Sequence, residues 1–532
     1  VDAEMRNLII VSLFISGVTF GQVSKVWVAD NGDGTYKNPI IHADYSDPDA
    51  IRVGDDYYMI SSSFNFTPGL PILHSKDLVN WTLVGHALGN LDYSDRFKKV
   101  QNGGGIWAPA IRHHKGLFYI YFPDPDLGIF VTTAKDPLGD WSEPVCVMAG
   151  KGLIDPCPFW DEDGKAYLAY AFAGSRAGVK SVLMINAMNA EGTKASDKAV
   201  MVFDGQKAHP TIEGPKLHKR NGYYYISAPA GGVSTGWQLI LRSKNIYGPY
   251  EQKIVLEQGS TPVNGPHQGA WVDTPNGEWW FLHFQDKDAY GRIVHLQPMS
   301  WKNDWPVMGL DKDGDGKGEP VLVHKKPAIK GNYPIITPPE SDEFNKPEVG
   351  LQWQWPANRQ VYFGYPTSLG YFRLNTFFRD STLLAFPNMM TQKFPAEEFT
   401  ATTKLDFSFN PKLKTEQIGF IVRGLESAWI GVAYRDVSTV LLYGEEKKSE
   451  SEKIIKKLEG TSEIYFRIRV KSGGLCDFYY SLDGKDFLQV NEKPFVAQPG
   501  LWVGATVGYF ASRKENTNDS GYANIDWFRI DK

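Results

Sequence analysis

Cysteine is nearly missing: Cys146, Cys157 and Cys476 are the only three in 532 residues. So sparse and odd a set rules out a disulfide framework and shows no metal-ligand spacing. Charge of one sign is missing as well. With 56 basic and 61 acidic residues the net charge is −5, which leaves no basic footprint for nucleic acid. Beyond residue 20 there is no long apolar run, so no membrane span is expected. Helical periodicity is scarce. What the chain does have is turn residues and rings: 52 glycines, 33 prolines and 14% aromatics fit a turn-rich, all-β protein. Its length exceeds one ordinary core, so two or more domains are expected.

The early apolar run has its own reading. Arg6 precedes 13 residues from Leu8 to Phe20, and small residues follow near a cut. A basic start, a short apolar stretch and small residues describe a secretory signal peptide over residues 5–21. The run is too short to cross a bilayer comfortably. No cysteine stands near the cut, which argues against a lipoprotein anchor. The expectation is an exported chain, periplasmic or secreted, and the alternative is a buried N-terminal strand.

A loose repeat then occupies residues 24–326. A glycine followed by an aromatic-rich strand recurs at Gly54, Gly116, Gly164, Gly222 and Gly277, at intervals of 62, 48, 58 and 55 residues. A second apolar strand follows each, at Ile72–Ser75, Ile129–Thr132, Val182–Ile185, Leu239–Arg242 and Ile293–Leu296. Five units of about one four-stranded sheet each predict a five-bladed β-propeller. Asp311, Asp313 and Asp315 resemble the opening of a calcium loop, but Leu322 stands where the twelfth position needs an acid, so a solvated hairpin is preferred. Residues 327–340, rich in Pro, Lys and Gly, read as a linker. From Ser341 to Lys532 the pattern is short alternating strands, at 352–355, 399–403, 418–422, 464–469, 503–510 and 523–530. That predicts a β-sandwich.

Three acidic residues stand out within the repeats: Asp47 in Ser46-Asp47-Pro48, Asp155 in Ile154-Asp155-Pro156 and Glu213 in Glu213-Gly214-Pro215. Taken singly, each is a common turn. Each precedes its Gly-aromatic hairpin by 7 to 9 residues, which places them at equivalent points of different blades. The innermost strands of a propeller line one depression, so the three carboxylates converge. Cys157, two residues after Asp155, has no histidine partner in the sequence and reads as a small buried residue.

These motifs have a familiar order. Asn38-Pro39-Ile40-Ile41, Ser46-Asp47-Pro48-Asp49, Phe64 to Pro71, His74 to Trp81, Ile106-Trp107-Ala108-Pro109, Gly152 to Pro156 and Glu213-Gly214-Pro215 together resemble glycoside hydrolase family 43, from about Asn38 to Trp301. The C-terminal part, from Ser341-Asp342-Glu343-Phe344 to Asn524-Ile525-Asp526-Trp527-Phe528, resembles the concanavalin-like, jelly-roll domain of one branch of that family. The resemblance implies Asp47 as general base, Glu213 as general acid, and Asp155 as the group that orients the acid and modulates its pKa. A glycosidic bond requires one carboxylic acid on the leaving oxygen and one carboxylate on water, and a third acid nearby favours the protonated form of its neighbour. Arg292 matches the family's arginine on terminal-sugar hydroxyls, and Trp107 and Phe64 are the aromatic platforms expected for the substrate. His267 matches a histidine that in many relatives holds a hydrated calcium at the propeller axis; no cofactor is required, and a structural calcium would be mostly water-bound. The alternative for His267 is a satisfied core histidine.

The expected partner is a plant cell-wall oligosaccharide or polysaccharide. The expected reaction is inverting, exo-acting release of α-L-arabinofuranose, with β-xylosidase or dual activity as the alternative. A non-catalytic carbohydrate-binding propeller would have no need of three converging carboxylates.

Overall fold

A computed structural model of the protein describes residues 23–532. The signal peptide expected at 5–21 lies outside the described residues. Every Gly-aromatic repeat is a hairpin between the first two strands of a blade. Gly54, Gly116, Gly164, Gly222 and Gly277 all have φ between 64° and 86°. Tight hairpins need that left-handed backbone, and glycine adopts it without a Cβ clash. The repeat visible in the sequence is therefore a repeat of turns.

Blade 1 comprises Asp49–Val53, Asp56–Ile60, Gly69–Ser75 and Trp81–Leu88. Blade 2 begins at Ala110–His114, blade 3 at Leu153–Trp160, blade 4 at Lys216–Arg220 and blade 5 at His267–Asp273. Each sheet has four strands paired in chain order, so connections stay short. The first strands of blades 1, 2 and 3 pack on one another in turn, blade 3 on blade 4, and blade 5 back on blade 1, which puts these strands at the axis. The ring is tied shut from the N-terminal side. Ile41 bridges Val294, and the Asn38 amide donates to the carbonyls of Leu296 and Val321.

The sandwich packs two antiparallel-rich sheets face to face, one built around Tyr522–Asp531, Phe399–Ser408 and Glu463–Lys471, the other around Thr506–Arg513, Gln417–Arg423 and Ser427–Arg435. Alternation sets the faces: along Glu463–Lys471 the even-numbered Ile464, Phe466, Ile468 and Val470 are buried. Residues 352–355, expected as a strand, form only isolated bridges, Gln354 to Thr391 and Trp355 to Thr67. Pro356 follows directly, and proline cannot donate to a ladder. Trp353 and Trp355 are each 1% exposed nonetheless, both in the cluster of the sandwich core, while the backbone of Trp355 pairs with Thr67 of blade 1.

The two domains share a core. Ala289, Tyr290 and Ile293 of blade 5 belong to the same apolar cluster as the sandwich interior. The Tyr290 hydroxyl lies 2.9 Å from the carbonyl of Glu397 and accepts from the Gly474 amide at 2.9 Å. The segment at 327–340 is anchored rather than free: the Glu340 carboxylate accepts from Ser24 and from the Lys25 amide, and its carbonyl accepts from Gln392. Among the described residues no helix is long and apolar enough to cross a membrane.

Candidate active site

Each blade delivers one element to the axis at the same point, just before or inside its first strand. Asp47 precedes blade 1, Trp107 precedes blade 2, Asp155 lies in the first strand of blade 3, Glu213 precedes blade 4 and Gln268 lies in the first strand of blade 5. The backbone bends sharply at several of these points. Asp47 has φ 55°, Asp155 φ 57°, Gly214 φ 57° and Gln268 φ 38°. In blades 3 and 5 the strand register shifts at the same place, between Ile154 and Cys157 and between His267 and Gly269. Bulges re-aim side chains. Here they turn Asp155 and Gln268 toward the mouth, and strained non-glycine backbone of this kind clusters at functional sites.

One pocket of about 450 Å³, mouth included, is lined by Asp47, Asp155, Glu213, Arg292, Trp107 and Phe64 together. Every residue expected to act on substrate thus reaches one cavity. Asp47 is 5% exposed and accepts from Ser46 Oγ at 2.7 Å, from Ser62 Oγ at 2.5 Å and from Arg292 Nη1 at 3.1 Å. Arg292 Nη1 also donates to Ser46 Oγ at 2.8 Å, so the guanidinium is committed to holding Asp47 as well as facing the cavity. Removing one partner of a buried ion pair costs on the order of 3–5 kcal/mol, because the other charge is left without compensation.

Asp155 accepts the Gly214 amide at 2.7 Å, which ties it to the turn that carries Glu213. Burial, then the Glu213 charge, then the Asp47 charge push its carboxyl well above the usual range; the Gly214 amide and Lys216 oppose them. Three acids in one cavity cannot all ionise cheaply, and the two neighbouring charges add to burial in favouring the protonated form of Asp155.

A stability consequence follows. The native carboxyl of Asp155 holds its proton above the unfolded value, so its burial penalises the fold as pH rises from the unfolded pKa through the native one. Asp155→Asn removes that penalty. Its melting temperature relative to the parent should therefore be more favourable at pH 8 than at pH 4, while its activity falls and the alkaline limb of its pH–rate profile moves to lower pH. An unchanged limb would leave Asp155 a positioning role alone.

His267 is fully buried, with Nε2 3.1 Å from Glu213 Oε1 and Nδ1 without a hydrogen-bond partner. Its demonstrable contact is with Glu213. Among the described residues it belongs to no group of three or more His, Cys, Asp or Glu ligand atoms close enough to share an ion. Calcium prefers oxygen donors, so the side chains here do not fit a calcium centre, and no step below runs through one. Asp311, Asp313 and Asp315 do bring their oxygens within 4.8 Å of one another. Their carboxylates accept amides of their own exposed loop, from Gly314 and Gly316 to Asp311, Asp315 to Asp313 and Lys317 to Asp315. Cys157 is buried under the site and takes donors from Arg112 Nη2 and the Leu217 amide.

Gln268 and Trp502 are among the lining residues that sequence reasoning missed. Gln268 is 3% exposed, and its Nε2 has no partner, a donor left over at the cavity wall. It precedes Gly277 by 9 residues, the same offset that Glu213 has from Gly222, so the repeat register could have found it. Trp502 comes from the sandwich, and its ring lies 6.0 Å from Trp107 and 5.7 Å from the Arg292 guanidinium. Its φ of 68° is strained for a bulky residue. The loop is held there by Gly504, whose amide donates to Asp44 Oδ2 at 2.9 Å, while Asp44 Oδ1 accepts the Arg292 amide at 2.9 Å. Asp44 therefore links the arginine of the site to the loop that roofs it. No local signal in the sequence marks Trp502.

The model for glycosyl hydrolases family 43 matches residues 36–306, and that for the beta-xylosidase C-terminal concanavalin A-like domain matches residues 341–531. A protein of Xylanibacter ruminicola named "Putative beta-xylosidase" is 39% identical over 91% of this chain and 88% of its own length. A non-reducing end α-L-arabinofuranosidase of Bacteroides ovatus is 29% identical over 98% of this chain and 97% of its own. The crystal structure of the GH43 BlXynB protein of Bacillus licheniformis superposes with a TM-score of 0.81 at 28% identity, covering 93% of this chain and 99% of that one. Five blades, three converging carboxylates and these matches define a glycoside hydrolase. The chain belongs to glycosyl hydrolases family 43.

Proposed function

We propose that this hydrolase removes single pentose units from the non-reducing ends of plant cell-wall oligosaccharides and polysaccharides, with inversion, taking β-xylosides first and α-L-arabinofuranosides second. The sequence alone put arabinofuranose first; a 39% identical relative named "Putative beta-xylosidase" supports placing xylosides ahead of it. Arabinofuranose stays as the second reading because a relative named for it aligns over 98% of the chain. The observation that carries the proposal is the pocket: three acids from three blades meet beneath Trp502 in one cavity. The expected signal peptide supports an exported enzyme that meets such polymers outside the cytoplasm.

In this reading Asp47 takes the proton of the attacking water, its position fixed by Ser46, Ser62 and Arg292. Glu213, whose side chain is 31% exposed, stands toward the mouth where the departing chain leaves, and protonates its oxygen. Asp155 modulates the acid and holds the Glu213 turn through Gly214. Trp107, Phe64 and Trp502 offer apolar surface to the sugar, and Gln268 Nε2 and Arg292 offer donors to its hydroxyls.

The test is a panel of aryl pentosides and of xylan, arabinan and xyloglucan oligosaccharides, run on the parent and on Glu213→Gln. The variant should lose about 10²- to 10⁴-fold on xylobiose, whose alkoxide needs a proton. On a dinitrophenyl xyloside, which departs unaided, the loss should be far smaller. Equal losses on both would remove Glu213 from the role of acid.

A further inference from the structure

One step further along the axis, beneath the pocket, the blades present a second tier of side chains. Asp49 stands two residues after Asp47, Pro109 two after Trp107, Cys157 two after Asp155, and Lys216 three after Glu213. Lys216 is fully buried, which is rare for a lysine. Its Nζ donates to the Pro109 carbonyl at 3.0 Å and lies 4.0 Å from Asp49 Oδ2. That oxygen is already engaged more closely: it accepts from Arg112 Nη1 at 2.7 Å and from the Ile111 amide at 2.9 Å. Arg112 Nη2 donates on to Cys157 Sγ at 2.9 Å. Burial, then Arg112, then Lys216 push the His218 imidazole well below its usual range, so the Lys216 strand adds no third cation.

Two cations thus face one carboxylate in this tier. A buried charge is costly unless it is compensated, and Arg112 already holds Asp49. Compensation for Lys216 comes from the tier above. There Arg292 faces Asp47 and His267 faces Glu213. Of the charges that act on Asp155, those of Glu213 and Asp47 favour its proton and that of Lys216 opposes it. The same ammonium is also a brace, because Pro109 belongs to the turn that carries Trp107 into the pocket.

We propose that Lys216 is a positioning residue for this hydrolysis: its ammonium pins the Trp107–Pro109 turn to the strand that follows Glu213 and supplies positive charge beneath the acids. The proposal rests on the reading of Asp47, Asp155 and Glu213 as the acids of the reaction.

The test is Lys216→Met in the full chain, which keeps the length of the side chain and removes donor and charge together. On an aryl xyloside kcat/KM should fall about tenfold, and both limbs of the pH–rate profile should move up by about one pH unit, since losing a nearby cation strengthens the hold of each acid on its proton. Asp49→Asn removes an anion from the same tier and should move both limbs down; it decides the matter if Lys216→Met does not fold. Limbs that stay where the parent has them, in a variant that melts cooperatively, would reduce Lys216 to packing and overturn the proposal. A second readout needs no activity. Without the cation, ionising Asp155 costs the fold more as pH rises through its native pKa. The melting temperature of Lys216→Met relative to the parent should therefore be less favourable at pH 8 than at pH 4, the reverse of Asp155→Asn. A parent inactive on every pentoside, with that melting difference present, would overturn the proposed function and leave the charge beneath the acids standing.

Discussion

Asp47→Asn is expected to lower kcat on β-xylosides and α-L-arabinofuranosides by about 10³- to 10⁴-fold, at the upper end of what one general base contributes. Asparagine keeps the shape of the side chain and can still accept from Ser46 and Ser62, which donate to Asp47 Oδ2 at 2.7 and 2.5 Å. What it loses is the capacity to take a proton and the charge facing Arg292 Nη1 at 3.1 Å. The loss should therefore fall on kcat, with the fold retained. A circular dichroism melt separates the two, because an unfolded variant would lose its cooperative transition rather than its turnover alone. The companion measurement is the anomer first formed by the parent. A base acting through water needs about 6.5–9.5 Å between the two carboxyl groups and gives inversion. Proton NMR showing a retained anomer would take Asp47 out of the role of base and make it a nucleophile.

Deleting the sandwich should abolish activity altogether. A chain ending near Pro327 exposes Ala289, Tyr290 and Ile293, which are buried in the joint core. It leaves the Tyr290 hydroxyl without the Glu397 carbonyl and the Gly474 amide, and Thr67 without its paired bonds to Trp355 at 2.7 and 2.9 Å. It also removes Trp502 from over the pocket and Gly504 from Asp44. Removing a single buried aromatic costs about 3–5 kcal/mol, and a whole docking face costs more than the 5–15 kcal/mol by which domains of ordinary stability fold. Aggregated or inactive protein is the expected product, measured by size-exclusion chromatography and by turnover of an aryl xyloside. A soluble propeller with the parent's full specific activity would reduce the sandwich to an appended module. Trp502→Ala separates roof from scaffold: it should raise KM for the sugar while the melting temperature stays near the parent's.

The reach of sequence reading differs between the parts of this site. The propeller was legible because its repeat is one of turns, and a turn at φ near 70° is specified by the glycine that occupies it. The acids were legible because the offset from each glycine to its carboxylate is fixed by strand length, a local quantity. Arg292 could be placed beside the sugar, but not its hold on Asp47, which spans 245 residues. Residues 352–355 misled because alternating Trp and Gln matches a strand, whereas Pro356 ends the pairing and the backbone of Trp355 turns to blade 1 instead.

By itself, the sequence determined the number of blades, the hairpins, the alternating faces of the sandwich strands and the three carboxylates, since each depends on residues a few positions apart. Tertiary structure decided the rest. Asp44 meets Gly504 across 460 residues, and Trp502 reaches Trp107 across the domain boundary. Which acid keeps a proton was likewise decided in three dimensions, because it depends on burial and on charges brought from three different blades. Contacts of that kind leave no periodicity to read: the chain records how each strand turns, and packing alone fixes what the turns bring together.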